Sequence, residues 1–237
     1  MASLAAVVAA LAGAPEAGAQ ATNYFPTCPQ GEALIIGSGG NDFISGTPLN
    51  DIFLTFAGND IIDSQGGNDC LAMGPGQDRA QGSGDDDLML GEADDDRLSG
   101  GEGGDTVAGG PGADQLTGGS GRDRVTGGSE NDSISLGEEA DRGFGEAGAD
   151  HIDGGPGEDR LTGGPGDDRL AGGESGDRIR GGPGKDAVMS GPGDDRINVV
   201  DGERDRVRCG RGRDVVRADG LDRTAGNCER VVRKKRR

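Results

Sequence analysis

The side chains with chemistry to offer are aspartates, and they come at a fixed interval. Stepping in nines from Asp42 reaches Asp51, Asp60, Asp69, Asp78, Asp87, Asp96, Asp105, Asp114, Asp123, Asp132, Asp141, Asp150, Asp159, Asp168, Asp177, Asp186 and Asp195 without a break. After one extra residue the series resumes at Asp205 and Asp214. The chain has only 31 aspartates, so 18 in one phase define a true internal repeat. An ionised carboxylate accepts hydrogen bonds and donates none, so a regular row of them calls for a counter-ion.

The elements that must carry these carboxylates are equally periodic. Two residues after each Asp stands an apolar side chain, as in Ile44, Phe53, Leu116, Val125, Val188 and Ile197; Ala80 and Gly143 depart. Polar residues flank it on both sides. That is a three-residue strand pattern with one side chain in and its neighbours out. The six residues before it are turn chemistry, as in Gly100-Gly101-Glu102-Gly103-Gly104-Asp105.

Composition narrows the class further. Leu, Ile, Val and Phe number 41 of 237 residues, Gly 50 and Pro 10, and the net charge is −19. A conventional enzyme with a thick core does not fit these numbers. They leave a disordered acidic chain or a repeat whose order depends on regularity and a counter-ion. The unbroken phase of nine decides for the repeat.

The unit G-G-x-G-x-D-x-U-x resembles the nonapeptide of RTX proteins, the hemolysin-type calcium-binding repeats. Units starting at Gly100, Gly109, Gly118, Gly154, Gly163 and Gly181 match it fully, and the resemblance spans roughly residues 37–217. It implies an all-β, right-handed parallel β-roll with two nonapeptides per coil, short N- and C-terminal caps and several Ca2+ ions held in the turns. Each strand then stacks on the strand 18 residues later, one strand spacing of ~4.8 Å away. Without a cation the stacked aspartates repel one another. Calcium takes six to eight oxygens in a flexible shell, which paired carboxylates and turn carbonyls can supply; magnesium demands a tighter octahedron.

The expected calcium ligands are Asp105, Asp114, Asp123, Asp132, Asp150, Asp159, Asp168, Asp177, Asp186 and Asp195. Weaker positions are Asp42, Asp51, Asp60, Asp69, Asp78, Asp87, Asp96 and Asp141. Leu49, Asp85, Asp94, Glu130 and Glu139 stand at the fourth-position glycine in the units of Asp51, Asp87, Asp96, Asp132 and Asp141, and should strain those turns.

Outside the repeat, Leu4 to Ala14 is an apolar run of eleven residues, too short for a bilayer span, leading into Ala17-Gly18-Ala19-Gln20-Ala21. Residues 1–21 read as a secretory signal peptide. Residues 22–36 are expected to cap a greasy outer patch made by Phe43, Ile52 and Ile61. The roll of 18 nonapeptides covers 37–200, degenerate repeats and a C-terminal cap cover 201–229, and 230–237 is a basic tail. Four cysteines allow three connectivities. By neighbourhood Cys28 pairs with Cys70, at an outward position, and Cys209 with Cys228.

Arg124, Arg142, Arg160, Arg178 and Arg196 recur every 18 residues and should form one outward column. Such a column either offsets the acidic turns or grips an anionic cell-surface polysaccharide. The single histidine, His151, falls at an outward position with no catalytic partner, and no triad, phosphate loop or dinucleotide fingerprint is present. An acidic body with few aromatics disfavours nucleic acid. The expectation is a secreted, non-catalytic, structural or adhesive calcium-binding protein without a membrane span.

Overall fold

The computed structural model describes residues 33–233. The expected signal segment 1–21, Cys28 with the rest of 22–32, and residues 234–237 of the basic tail lie outside the described residues.

A three-residue apolar pattern between glycine turns can bury only one side chain per strand, so it must stack to make a core. Among the described residues it does so in two parallel sheets of 12 and 11 strands; numbered in chain order from β1 (Ala33–Ile36), the odd-numbered strands form the first sheet and the even-numbered strands the second. Successive strands alternate between the sheets, so each coil adds one strand to each; the described residues make a parallel β-solenoid of about 11 coils, with no helix among them. The register is the 18-residue repeat itself: Leu116 pairs with Ile134, and Arg160 with Arg178. This is the expected all-β roll.

The core is a double row between the sheets. Phe53, Leu71, Met89, Val107, Val125 and Leu161 come from one sheet and Ile62, Leu98, Leu116, Ile134, Ile152 and Leu170 from the other, all buried. The two departures are compensated seven residues upstream. Leu136 stands where other units carry their first glycine, is fully buried, and places its methyls where a side chain on Gly143 would go. Met73, also fully buried, holds the same position ahead of Ala80.

Strands run past residues 37 and 200, the expected ends of the roll. Residues Ala33–Ile36, expected in the cap, form β1 and pair in parallel with β3 (Asp51–Leu54). At the other end β20 (Arg206–Arg208), β21 (Val215–Ala218), β22 (Arg223–Thr224) and β23 (Arg230–Arg233) continue both sheets. Strands from β5 (Cys70–Pro75) to β13 (Arg142–Ala147) are mostly six residues long, because the turn glycines also pair between coils, as Gly119 does with Gly101.

Phe43, Ile52 and Ile61 do not share a face. Phe43 pairs with Ile61 in one sheet, where both are exposed, whereas Ile52 belongs to the other and is buried beside Cys70. The odd-numbered sheet is covered on its outer side in the first coils, with Ile52, Leu54, Cys70, Ala72 and Leu90 all buried. Cys70 is disulfide-bonded, and it is enclosed rather than exposed on the outer face. Cys209 and Cys228 form the expected C-terminal disulfide.

Candidate metal centre

Each aspartate of the series directly precedes its strand or, at Asp51, begins it, and from Asp51 to Asp214 every one is buried. The two carboxylate oxygens have different fates. Oδ1 accepts the backbone N–H of the aspartate one coil earlier: Asp87 donates to Asp105, Asp105 to Asp123, Asp159 to Asp177 and Asp177 to Asp195, at 2.8–2.9 Å. The same bond recurs in every coil from Asp42 onward. The other oxygen has no partner. From Asp60 to Asp214, Oδ2 of every member of the series is buried without a donor.

Burial of an unpaired carboxylate oxygen raises the free energy of the ionised form. Burial is accordingly the largest influence on these groups. It is opposed by the N–H bond and reinforced by carboxylates in neighbouring coils and turns. Asp87, Asp96 and Asp205 are pushed up to about 8. Asp105, Asp132, Asp141, Asp168 and Asp177 reach about 7. Asp69, Asp78, Asp114, Asp159, Asp186 and Asp214 reach about 6. Asp123 and Asp150 are raised as well.

The glycines explain what surrounds these oxygens. A Cβ on Gly100 would overlap Asp105 Oδ2 and would lie 2.7 Å from the Gly118 carbonyl oxygen. Two acceptors therefore flank a space that only glycine leaves open. Gly103 holds φ +126° and sits over the Asp85 carbonyl of the preceding coil, again with no room for a side chain. Ser190, at a first-glycine position, puts into the core a hydroxyl that also finds no partner.

An unpaired buried carboxylate oxygen beside a carbonyl, repeated coil after coil, has the donor chemistry of a hard-cation site, and calcium is the ion that oxygen-only shells of mixed carboxylate and carbonyl suit best. Among the described residues no three Asp, Glu, His or Cys side chains converge on one point. Any shell must therefore take much of its oxygen from the backbone.

The units with a fourth-position replacement differ as expected, with one exception. Asp85, Asp94, Glu130 and Glu139 take φ of 68–83°, a left-handed conformation costing ~1–2 kcal/mol for a residue with Cβ. Leu49 is not among the positive-φ residues. Its turn instead closes through Thr47, whose N–H and hydroxyl both donate to Asp51 Oδ2. Asp42 is closed similarly by Ser38.

Sequence reasoning missed two sets of residues. Asp222 and Glu229 prolong the ladder by accepting the N–H groups of Asp205 and Asp214, but at separations of 17 and 15 residues. A fixed step of nine passes over them. In several coils the residue just before the ladder aspartate forms a second, exposed ladder running the other way. Asn41 accepts the N–H of Asn59, Asp86 that of Gly104, Asp95 that of Ala113 and Asp167 that of Lys185. The recurrence of Asn or Asp at that position was the available signal. The five arginines stack as expected, Arg124 on Arg142, Arg160, Arg178 and Arg196. His151 is exposed beside Arg169.

Fold and site together define a parallel β-solenoid whose glycine turns stack buried carboxylates. Comparison with known protein families matches the chain to the RTX calcium-binding nonapeptide repeat (4 copies) over residues 36–70, 74–107, 99–134, 108–143, 135–170 and 162–197. The chain belongs to this family, whose repeats bind calcium. No curated protein matches it.

Proposed function

We propose that the chain is a secreted, non-catalytic structural or adhesive protein that binds several calcium ions and completes its folding on doing so. The observation that carries this reading is the run of buried Oδ2 atoms without a donor from Asp60 to Asp214. The ligands in this reading are Asp105, Asp114, Asp123, Asp132, Asp150, Asp159, Asp168, Asp177, Asp186 and Asp195. Asp60, Asp69, Asp78, Asp87, Asp96 and Asp141 are of lower affinity, as are Asp42 and Asp51, which their own turns already satisfy in part. When bound, calcium supplies positive charge to oxygens that otherwise repel one another.

Because the ion binds the folded chain and not the open one, its binding free energy adds to stability. An extracellular setting is supported by the Cys209–Cys228 disulfide, since such bonds persist in oxidising compartments. Among the described residues no helix is long and apolar enough to cross a membrane. Circular dichroism during a calcium titration from excess chelator tests the proposal. Growth of β-signal with calcium is expected; complete β-structure in chelator would overturn it.

A further inference from the structure

We infer that the outer face of the odd-numbered sheet between β11 (Arg124–Ser129) and β19 (Arg196–Asn198) is a docking surface for a linear anionic polysaccharide, one carrying a carboxylate or sulfate on each sugar. The inference rests on the calcium-loaded roll only for its scaffold, because the ladder residues take no part in the carboxylate columns.

Arg124, Arg142, Arg160, Arg178 and Arg196 occupy consecutive rungs in exact Cα register. Five rungs span four strand spacings, ~19 Å at ~4.8 Å each. All five side chains are exposed, and among the described residues none makes an ion pair. The one described pair joins Arg213 to Asp194, which lies two residues before Arg196 at the end of the ladder and feels that arginine's charge through space. The ladder therefore does not spend its charge on the acidic turns through direct contact. Five unpaired guanidiniums at one strand spacing repel one another, and each keeps its planar donor fork for a carboxylate or sulfate. The ladder is bounded by Thr106 on one side and Val215 on the other.

Backbone register sets this spacing, so it does not depend on rotamers. One positive charge per ~4.8 Å suits a polymer with about one charge per sugar better than duplex DNA, which carries one per ~1.7 Å. Single-stranded nucleic acid is gripped chiefly by exposed aromatic platforms. The face has one aromatic ring, Phe144, and the Arg124 guanidinium already lies 4.2 Å from its centroid. Thr126 and Thr162, two residues along their strands on the same side, add hydroxyls that can bond to sugars.

The test is titration calorimetry of the full chain at saturating calcium with soluble oligogalacturonate, and separately with a single-stranded oligonucleotide. The wild type should bind oligogalacturonate, and more tightly than the oligonucleotide. R160E/R178E should lose at least about tenfold in affinity, given the loss of two charge-assisted contacts and the two repulsions introduced. R79E/R97E, a stacked pair in the opposite sheet, should bind as the wild type does. Calcium-induced β-signal should be the same in all three. Undiminished binding by R160E/R178E overturns the inference, since contact made through calcium at the acidic turns would survive that change. So does tighter binding of the oligonucleotide, or no binding of oligogalacturonate. A chain that gains no β-signal with calcium would instead overturn the folding proposal and leave the ladder to be judged on affinity alone.

Discussion

Asp105 donates its backbone N–H to Oδ1 of Asp123 at 2.8 Å, one coil further on, while Oδ2 of the same carboxylate is buried with no donor. One side chain thus does two separable things: it satisfies a backbone group, and it holds a charge that the fold alone does not neutralise. The first explains why the coils stay in register. In the proposed reading, the second makes that register conditional on a cation.

Asp123→Asn and Asp123→Ala separate the two roles. Asn retains an acceptor for the Asp105 N–H and removes the buried charge. Ala removes both and leaves that N–H unpaired, at a cost of ~1–3 kcal/mol. In chelator, D123N should melt above the wild type; in saturating calcium it should melt below and bind calcium more weakly. D123A should fall below D123N in both conditions. Thermal melts by circular dichroism measure the order directly, and a D123N variant destabilised equally with and without calcium would contradict the division of roles.

The raised carboxylates give the calcium-free roll a definite pH dependence. Their folded values lie at about 6 to 8, as for Asp69 and Asp87, above the ordinary 3.8. Between pH 4 and pH 8 the folded chain therefore holds protons that the open chain has released. Stability from these groups is fully present below the ordinary value and is lost as pH rises through 6 to 8. In chelator, β-signal should grow as pH falls from 8 toward 5. Calcium competes with those protons, so its affinity should fall over the same interval and its binding near pH 7 should release protons into weak buffer. A chelated chain equally unfolded at pH 5 and pH 8 would refute this.

The C-terminal coils are held by a different device. Cys209 and Cys228 close a loop with a sequence separation of 19 around the last rungs, where Asn227 also donates to the Cys209 carbonyl. A loop of this size stabilises by ~3 kcal/mol in the chain-entropy view. Reduction, or Cys209→Ser with Cys228→Ser, should speed amide exchange in residues 206–233 and leave the coils from Asp105 to Asp177 protected in calcium. Uniform loss of protection along the whole roll would show that the bond acts globally instead.

Much of this architecture was legible because one coil is two repeat units long. The step from Asp105 to Asp123 is at once a sequence period and a strand pairing, so the ladder, the two sheets and the Arg124–Arg196 column all follow from counting. Legibility failed where the spacing slipped or where one residue type served two ends. Asp222 and Glu229 keep the hydrogen bond but lose the period, because shortened turns carry the chain to the same place in fewer residues. Ala33–Ile36 has no preceding aspartate to mark it. Phe43 and Ile52 look equivalent one unit apart, yet successive units face opposite ways. Met73 and Leu136 stand at first-glycine positions and are core residues, which a motif written with glycine there passes over.

That last pair of positions yields the sharpest packing test. Leu136 is fully buried, and a Cβ on Gly143 would meet its two methyl carbons at 3.1 and 3.2 Å and Ile152 at 3.1 Å. The space belongs to one side chain or the other. Leu136→Gly should open a cavity and cost ~2–5 kcal/mol or more, and Gly143→Val alone should overpack and cost ~1–3 kcal/mol. The double variant L136G/G143V restores the regular unit, with glycine first and the apolar residue after the aspartate. It should therefore melt above G143V and above L136G, a coupling far from additive. Melts of the four proteins in saturating calcium measure it. Simple addition of the two single losses would mean that Leu136 and Gly143 do not share the space.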